Sequence, residues 1–271
     1  MPDGAQAVVG PVLIRQDRDA VATLTLNRPA ARNGLSVALL DALHGALRDI
    51  ASDPAIRCVV IQAEGPAFCA GHDLKEITAH FADADGGHAF FADAMARCAA
   101  VMQAIPALPQ PVIGAVQGLA TAAGCQLAAA CDLVLAADTA RFCTPGVEIG
   151  LFCSTPAVAL SRAVPRKAVM EMLLTAEPID AAEARRIGLV NRIIPAASLR
   201  QEAAALAARI AGRSALAVQL GKRTFYRQAG LPLAEAYEVA AAAMVENLLA
   251  EDAAEGVGAF LAKRAPEWRH R

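Results

Sequence analysis

Aromatic residues are scarce in this chain: they make up 4% of its 271 residues, with a single Trp. Platforms for stacking nucleic-acid bases need repeated aromatics set among Lys and Arg. Neither is clustered here. The formal net charge is −2, and no block of like charge precedes the mildly basic end, Lys263 to Arg271, which reads as a solvated tail. No nucleic-acid partner is expected. The cysteines (Cys58, Cys69, Cys98, Cys125, Cys131, Cys143, Cys153) include no C-x-x-C pair, and the histidines (His44, His72, His80, His88, His270) make no ligand-spaced cluster with them. No metal is therefore expected, and buried reduced thiols are. A long uninterrupted apolar run is also missing. Cys98 to Cys131 carries no charge, but Pro106, Pro109, Pro111, Gly114, Gly118 and Gly124 break it, where a spanning helix needs roughly 20 continuous apolar residues. Met1 to Gly10 lacks the basic-then-apolar order of a secretory signal. The expectation is a soluble, cytoplasmic protein with no membrane partner.

What is present is a globular composition, 56% hydrophobic and 19% charged. Val12 to Asp17 and Ala20 to Asn27 read as a hairpin. Ser36 has the chemistry of an N-cap, and Val37 to Ala51 keeps an apolar stripe through Leu39, Leu40, Leu43, Leu47 and Ile50. Ile56 to Ala63, Val112 to Val116 and Asp132 to Ala136 read as buried strands. Helices are expected from about Leu74, from Gly87 to about Ile105, and over Gly124 to Ala130. Strand–loop–helix repeats of this kind predict an α/β fold with buried, largely parallel strands. After Pro165 helices dominate: Arg166 to Thr175, Ala181 to Ile187, Leu199 to Ala211, Ala215 to Gln228, Leu233 to Leu249 and Ala253 to Lys263, with one strand at Val190 to Ile194. A boundary near Pro195 divides the chain into a core, 1–195, and a helical region, 196–271, whose Ala-rich helices suit a subunit interface.

Two stretches carry chemistry. In FCAGHDLKE, Phe68 to Glu76, a buried strand turns into a helix through Ala70 and Gly71, and Asp73 is placed to cap the helix. In GLATAAGCQLAAACDLVLAA, Gly118 to Ala137, another strand turns through small residues into a helix near Ala123. Helix starts leave N–H groups unpaired. Two such loops side by side aim two main-chain donors at one point, which is how an oxyanion hole is built. Ordinary strand-to-helix turns closed by small residues account for the same letters.

The two stretches in this order resemble the crotonase (enoyl-CoA hydratase/isomerase) superfamily. The resemblance runs from Asn27-Arg28-Pro29, through PVIGAVQG at Pro111, ARFCTPGVEIGL at Ala140 and MEMLLTAEPIDAAEARRIGLVNRIIP at Met170, to FLAKR at Phe260. It implies a spiral of β-β-α units with C-terminal helices that form homotrimers or homohexamers. It implies acyl-CoA or enoyl-CoA substrates and no cofactor beyond the coenzyme A of the substrate. Carried onto this chain, the oxyanion donors are the main-chain N–H groups of His72 and Ala123. Arg28, Arg32, Asn33, Leu35, Ala70, Asp73 and Leu74 line the path of the coenzyme, and Phe260 and Lys263 approach its adenine.

The match departs at the acid–base pair. Hydratases of this family resemble a two-glutamate machine, and the two positions here hold Gln126 and Gly146. Glutamine orients water but exchanges no proton at neutral pH, and glycine does neither. Glu148 lies two residues on; in an extended loop it points the way Gly146 would, and one base suffices for double-bond isomerisation. His72 titrates near neutrality and can act as a base, or simply pack at the pocket rim. FCAGHDLKE joined to PGVEIGLFCSTP resembles a subgroup of the superfamily that lacks both glutamates and includes an animal mitochondrial member. Four readings stay open: a hydratase, an isomerase, an acyl-CoA hydrolase using His72 or Glu148, and a non-catalytic acyl-CoA binder.

Overall fold

The computed structural model describes residues 10–271, so the leader reading of Met1 to Gly10 falls almost wholly outside the described residues. The elements in chain order are β1 (Leu13–Arg18), β2 (Val21–Leu26), α1 (Val37–Ala51), β3 (Cys58–Ala63), β4 (Ala67–Cys69), α2 (Leu74–Ala79), α3 (His88–Ala107), β5 (Val112–Val116), β6 (Leu119–Thr121), α4 (Ala123–Ala130), β7 (Leu133–Ala137), β8 (Arg141–Cys143), α5 (Ser154–Ala163), α6 (Arg166–Thr175), β9 (Ile179–Asp180), α7 (Ala181–Arg186), β10 (Arg192–Ile194), α8 (Leu199–Ala211), α9 (Ala215–Gln228), α10 (Leu233–Leu248) and α11 (Glu251–Leu261).

The strands form two sheets, one in the order β1-β2-β3-β5-β7-β10 and one in the order β4-β6-β8-β9. From β3 to β8 each unit places its first strand in the large sheet and its second in the small one, and a helix then returns to the start of the next unit; β9 then joins the small sheet and β10 the large one. Strands β3, β5 and β7 pair in parallel, and so do β4, β6 and β8. This is the spiral of β-β-α units that the sequence led us to expect. The β1–β2 hairpin turns through Asp19 and Ala20, both at positive φ, and closes one edge.

The strongest local signals hold in the structure. Ser36 caps α1, its Oγ accepting the N–H of Leu39 at 3.2 Å. The buried residues of α1 are Leu39, Leu40, Leu43, Leu47 and Ile50, the stripe read from spacing. They belong to one continuous core with β2, β3, β5 and β7. The seven cysteines are all buried and reduced.

Three differences stand out. The small sheet is built largely of three-residue strands inside segments that read as loops. Residues 145–149, which would have to be extended for Glu148 to point as Gly146 does, form a 3-10 turn. Helix α8 lies across β2, β3, β5 and β7, so the helical region drawn from 196 begins with an element that covers the large sheet. The exposed assembly starts at α9: within α9 only Leu220 is buried, and within α10 no residue is. Among the described residues no helix is long and apolar enough to cross a membrane.

Candidate active site

Four segments meet at the ends of β4, β6 and β8. The first is the turn after β4. Leu35 and His72 form a parallel bridge: the Leu35 N–H bonds Gly71 O at 2.7 Å and the Asp73 N–H bonds Leu35 O at 3.2 Å. In such a bridge the middle residue's own N–H faces away from its partner, and the His72 N–H has no acceptor among the described residues. Gly71 sits at φ +87, a conformation that side chains rarely adopt. A Cβ there would lie 2.9 Å from the Ala122 Cβ and 3.4 Å from Ala123 N, so the two loops touch.

The second segment is the start of α4. Ala122 precedes it at φ 50, ψ −120, a strained conformation for a non-glycine that costs on the order of 1–3 kcal/mol. Its N–H is bound to Cys143 O at 3.0 Å and its O accepts the Gln126 N–H at 3.0 Å. Between them the Ala123 N–H is left without an acceptor among the described residues. Gly124 fixes the separation, since a Cβ on it would stand 2.1 Å from Cys69 O. The two open N–H groups thus belong to loops in van der Waals contact, with the positive end of α4 behind one of them.

The third segment, 143–153, holds the second of the two positions singled out for acid–base chemistry. Gly146 is buried, and a Cβ on it would meet Cys153 Sγ at 2.9 Å and Leu151 O at 3.0 Å. Cys153, just before α5, fills the space where a second acidic side chain would begin. The extended geometry on which Glu148 depended is absent. In a 3-10 turn successive residues rotate by about 120°, so residues 146 and 148 do not share a direction, and Glu148 is exposed. Its charge still raises the Cys143 thiol, after the larger effect of burial. Burial likewise pushes up the thiols of Cys125 and Cys153, so all three stay protonated at neutral pH.

The side chains that remain are neutral. Gln126 is buried on the first turn of α4, and its Oε1 has no partner. His72 has both ring nitrogens buried and unpaired, and burial holds its pKa below the ordinary 6.5. Thr144 is fully buried with Oγ1 unpaired. Gln126 also lines a cleft of ≈ 500 Å³ between α3, α4, α5 and α9, walled by Met102, Val158 and Tyr226 among others. That volume lies in the range of small-molecule sites.

The fourth segment is the loop 28–36. Arg28 bonds Asp73 Oδ2 at 2.7 Å and also Gly34 O. Burial alone would raise the Asp73 carboxyl. The Arg28 hydrogen bond, the Lys75 N–H and the Arg28 charge outweigh it and hold the group below 3.8. Asn33 is fully buried. It accepts the Arg28 N–H at 2.8 Å and donates to Glu64 O and Ala67 O, each at 2.8 Å. Leu35 lies in the core at 2% exposure. Asn33 and Leu35 therefore offer a ligand no side chain; they hold the loop in place. Arg32 and Leu74 are exposed and Ala70 is half-buried, so these can line a path.

The structure thus gathers His72, Ala123, Gln126 and Gly146 with Arg28, Asn33, Leu35, Ala70 and Asp73. It does not bring Phe260 or Lys263 to them within one chain. Both are exposed at the end of α11, which packs on α10 and on its own tail through Asp252 and Trp268. Sequence reasoning missed Ala122, Thr144 and Cys153. FCSTP was part of a motif, but nothing in its letters says that the chain doubles back onto Gly146.

The family model described as enoyl-CoA hydratase/isomerase matches residues 16–271. The chain is 46% identical over 255 residues to the enoyl-CoA hydratase domain-containing protein 3, mitochondrial, of Rattus norvegicus, covering 94% of this chain and 83% of that protein. Among solved structures it is similar to an enoyl-CoA hydratase of Mycobacterium smegmatis, with 48% identity, a TM-score of 0.91, and 96% of this chain and 99% of that one covered. It is also similar to the human enoyl coenzyme A hydratase domain-containing protein 3, with 45% identity, a TM-score of 0.90, and 95% and 100% covered. The expected cytoplasmic placement finds no support in the animal relatives, whose names place them in mitochondria.

Proposed function

The chain belongs to the enoyl-CoA hydratase/isomerase family, and on that premise we propose that it binds an acyl-CoA thioester with the carbonyl oxygen between the N–H groups of His72 and Ala123. The observation that carries this reading is the pair of unpaired donors on two loops locked together at Gly71 and Gly124. As negative charge gathers on the thioester oxygen, two fixed donors stabilise it without reorganising; removing one such donor costs roughly 10²–10³ in rate. No cofactor beyond the substrate's coenzyme A is invoked. Arg32, Ala70 and Leu74 line the approach, and copies assemble through the C-terminal helices as a homotrimer or homohexamer. In that assembly Phe260 and Lys263 reach the nucleotide of a neighbouring copy.

Chemistry by a carboxylate pair is not part of this proposal, because Gln126 is neutral and the Gly146 position is closed by Cys153. The proton carrier is His72, whose imidazole is neutral at pH 7 and open at both nitrogens. Glu148 faces outward and is set aside as base. The closure at Gly146 also favours a second reading, a non-catalytic acyl-CoA binder of the subgroup that lacks both glutamates.

Incubation with crotonyl-CoA, following the enone absorbance and the product mass, tests the proposal. Binding with turnover supports an enzyme, and a product heavier by one water identifies hydration. Saturable binding with no turnover on any enoyl thioester moves the conclusion to the binder. Absence of binding overturns both.

A further inference from the structure

Helix α9 is tied to the core at one buried point. The Lys222 side chain is 7% exposed. Its Nζ donates to Asp132 Oδ2 at 2.6 Å and to the carbonyls of Ile105 and Gln110, each at 2.9 Å. Asp132 is engaged from other sides as well: Oδ2 also accepts the Val112 N–H, and Oδ1 accepts the Tyr226 hydroxyl, both at 2.7 Å. One carboxylate therefore joins the end of α3, the start of β5, the turn between α4 and β7, and α9. Burial lowers the Lys222 pKa, and the Asp132 charge opposes this. Burial, followed by the same charge, pushes the Tyr226 phenol up, so it stays a donor at neutral pH. A buried charge that loses its partner is strongly destabilising, so the three side chains act as one lock. The oxyanion-hole chemistry uses none of them.

Two members of the lock also line a cavity. The cleft of ≈ 500 Å³ that Gln126 lines follows α4 past its last residue to Cys131 and Asp132, and Tyr226 lines it too. Gln126 and Ala123 are three residues apart, neighbours on one helix face, so the cleft opens about one turn from the oxyanion donor. Its walls include the apolar Met102 and Pro106 of α3 and Val158 of α5, a lining that favours an alkyl group.

We propose that Asp132, Tyr226 and Lys222 fix α9 as the end wall of this cleft and so set the longest acyl group the protein takes. The proposal rests on the thioester reading above. Asp132 and Tyr226 meet the far end of the acyl chain, and Lys222 is a positioning residue that acts through Asp132. The chain lies along α4 from Gln126. Each methylene buried against α3 and α5 tightens binding, by up to about fourfold, until the chain reaches the lock. One methylene more must displace a phenol and a carboxylate that the ion pair holds in place, or remain in water.

The test measures equilibrium affinity of the full chain for saturated acyl-CoA thioesters of increasing length, from butyryl-CoA to tetradecanoyl-CoA, beside a melting curve for each variant. Wild-type affinity is expected to rise with length and then stop at a limit. Tyr226→Ala removes the wall and keeps the ion pair. Lys222→Met combined with Asp132→Asn removes both charges, so no lone charge is left buried, and the amide oxygen still accepts the Val112 N–H. Both variants should bind butyryl-CoA within about twofold of wild type and move the limit to longer chains. The first thioester two methylenes beyond the wild-type limit should bind about tenfold tighter than it does to wild type, since each methylene admitted adds up to about fourfold. A merely structural lock would weaken every thioester by the same factor, and that result overturns the proposal. A wild-type affinity that does not vary with length also overturns it, because the cleft then takes no acyl group; the thioester reading stands in either case. Failure of every thioester to bind overturns the thioester reading itself.

Discussion

At Gly146 the absence of a side chain is a packing requirement. Its Cβ position is occupied within 3.0 Å by the Cys153 thiol and the Leu151 carbonyl. Restoring the acidic residue by Gly146→Glu should therefore destabilise the chain by about 2 kcal/mol, the usual scale of overpacking. Adding Cys153→Ala should return part of it, because the two sites touch and their effects are coupled. Denaturant midpoints of the two variants check this; an undiminished midpoint in Gly146→Glu alone would show that the 151–153 loop yields. His72 gives a second residue-scale prediction. Its pKa is depressed in the folded chain by burial, so the unfolded chain binds more protons as pH falls below the ordinary value of 6.5. The stability that depends on the neutral ring is complete above that pH and is lost as pH falls through the folded value. Wild-type melting temperature should drop more between pH 7 and pH 5 than that of His72→Gln.

At the scale of elements, the site is held by loops clamped at few points. Asn33 joins Arg28 N, Glu64 O and Ala67 O, while sitting at φ 54, where Asn is tolerated better than Ala. Asn33→Ala leaves buried main-chain groups unpaired and should cost about 3 kcal/mol, visible as an early loss of the loop in hydrogen exchange. Gly124 acts between β4 and α4. An added methyl would meet Cys69 O at 2.1 Å, and no side-chain rotation relieves a clash with main chain. Gly124→Ala is expected to push the two donors apart and lower kcat/KM by roughly 10², a larger effect than on the α1 packing far from it; kinetics beside a melting curve separates the two.

For the whole molecule, the exposed face of α9, α10 and α11 stands out. Phe225, Tyr237, Leu249 and Phe260 are large and exposed, the last two at 82%, and apolar surface of this density suits the proposed contact between copies. Sedimentation is expected to give the mass of three or six chains. Leu249→Glu combined with Phe260→Glu should shift it toward one chain and, if Phe260 serves a neighbouring copy, weaken affinity for the coenzyme as well.

The sequence by itself determined the elements that carry a long period or a strong cap: the α1 stripe, the strands of the large sheet, and α8 and α9, whose bounds match the reading residue for residue. It also placed the two small-residue turns, because close approach restricts side-chain size whatever the surroundings; His72 and Ala123 were singled out within them by the family resemblance. The second sheet was decided only in three dimensions. Strands of three residues such as β4, β6 and β8 hold too few side chains for an alternation to register, and they exist because their neighbours pair with them. The same is true of the 145–149 turn, of Cys153 filling the space beside Gly146, and of Thr144 left unpaired at the site. Each depends on which segments are brought into contact, and that is set by packing across the spiral.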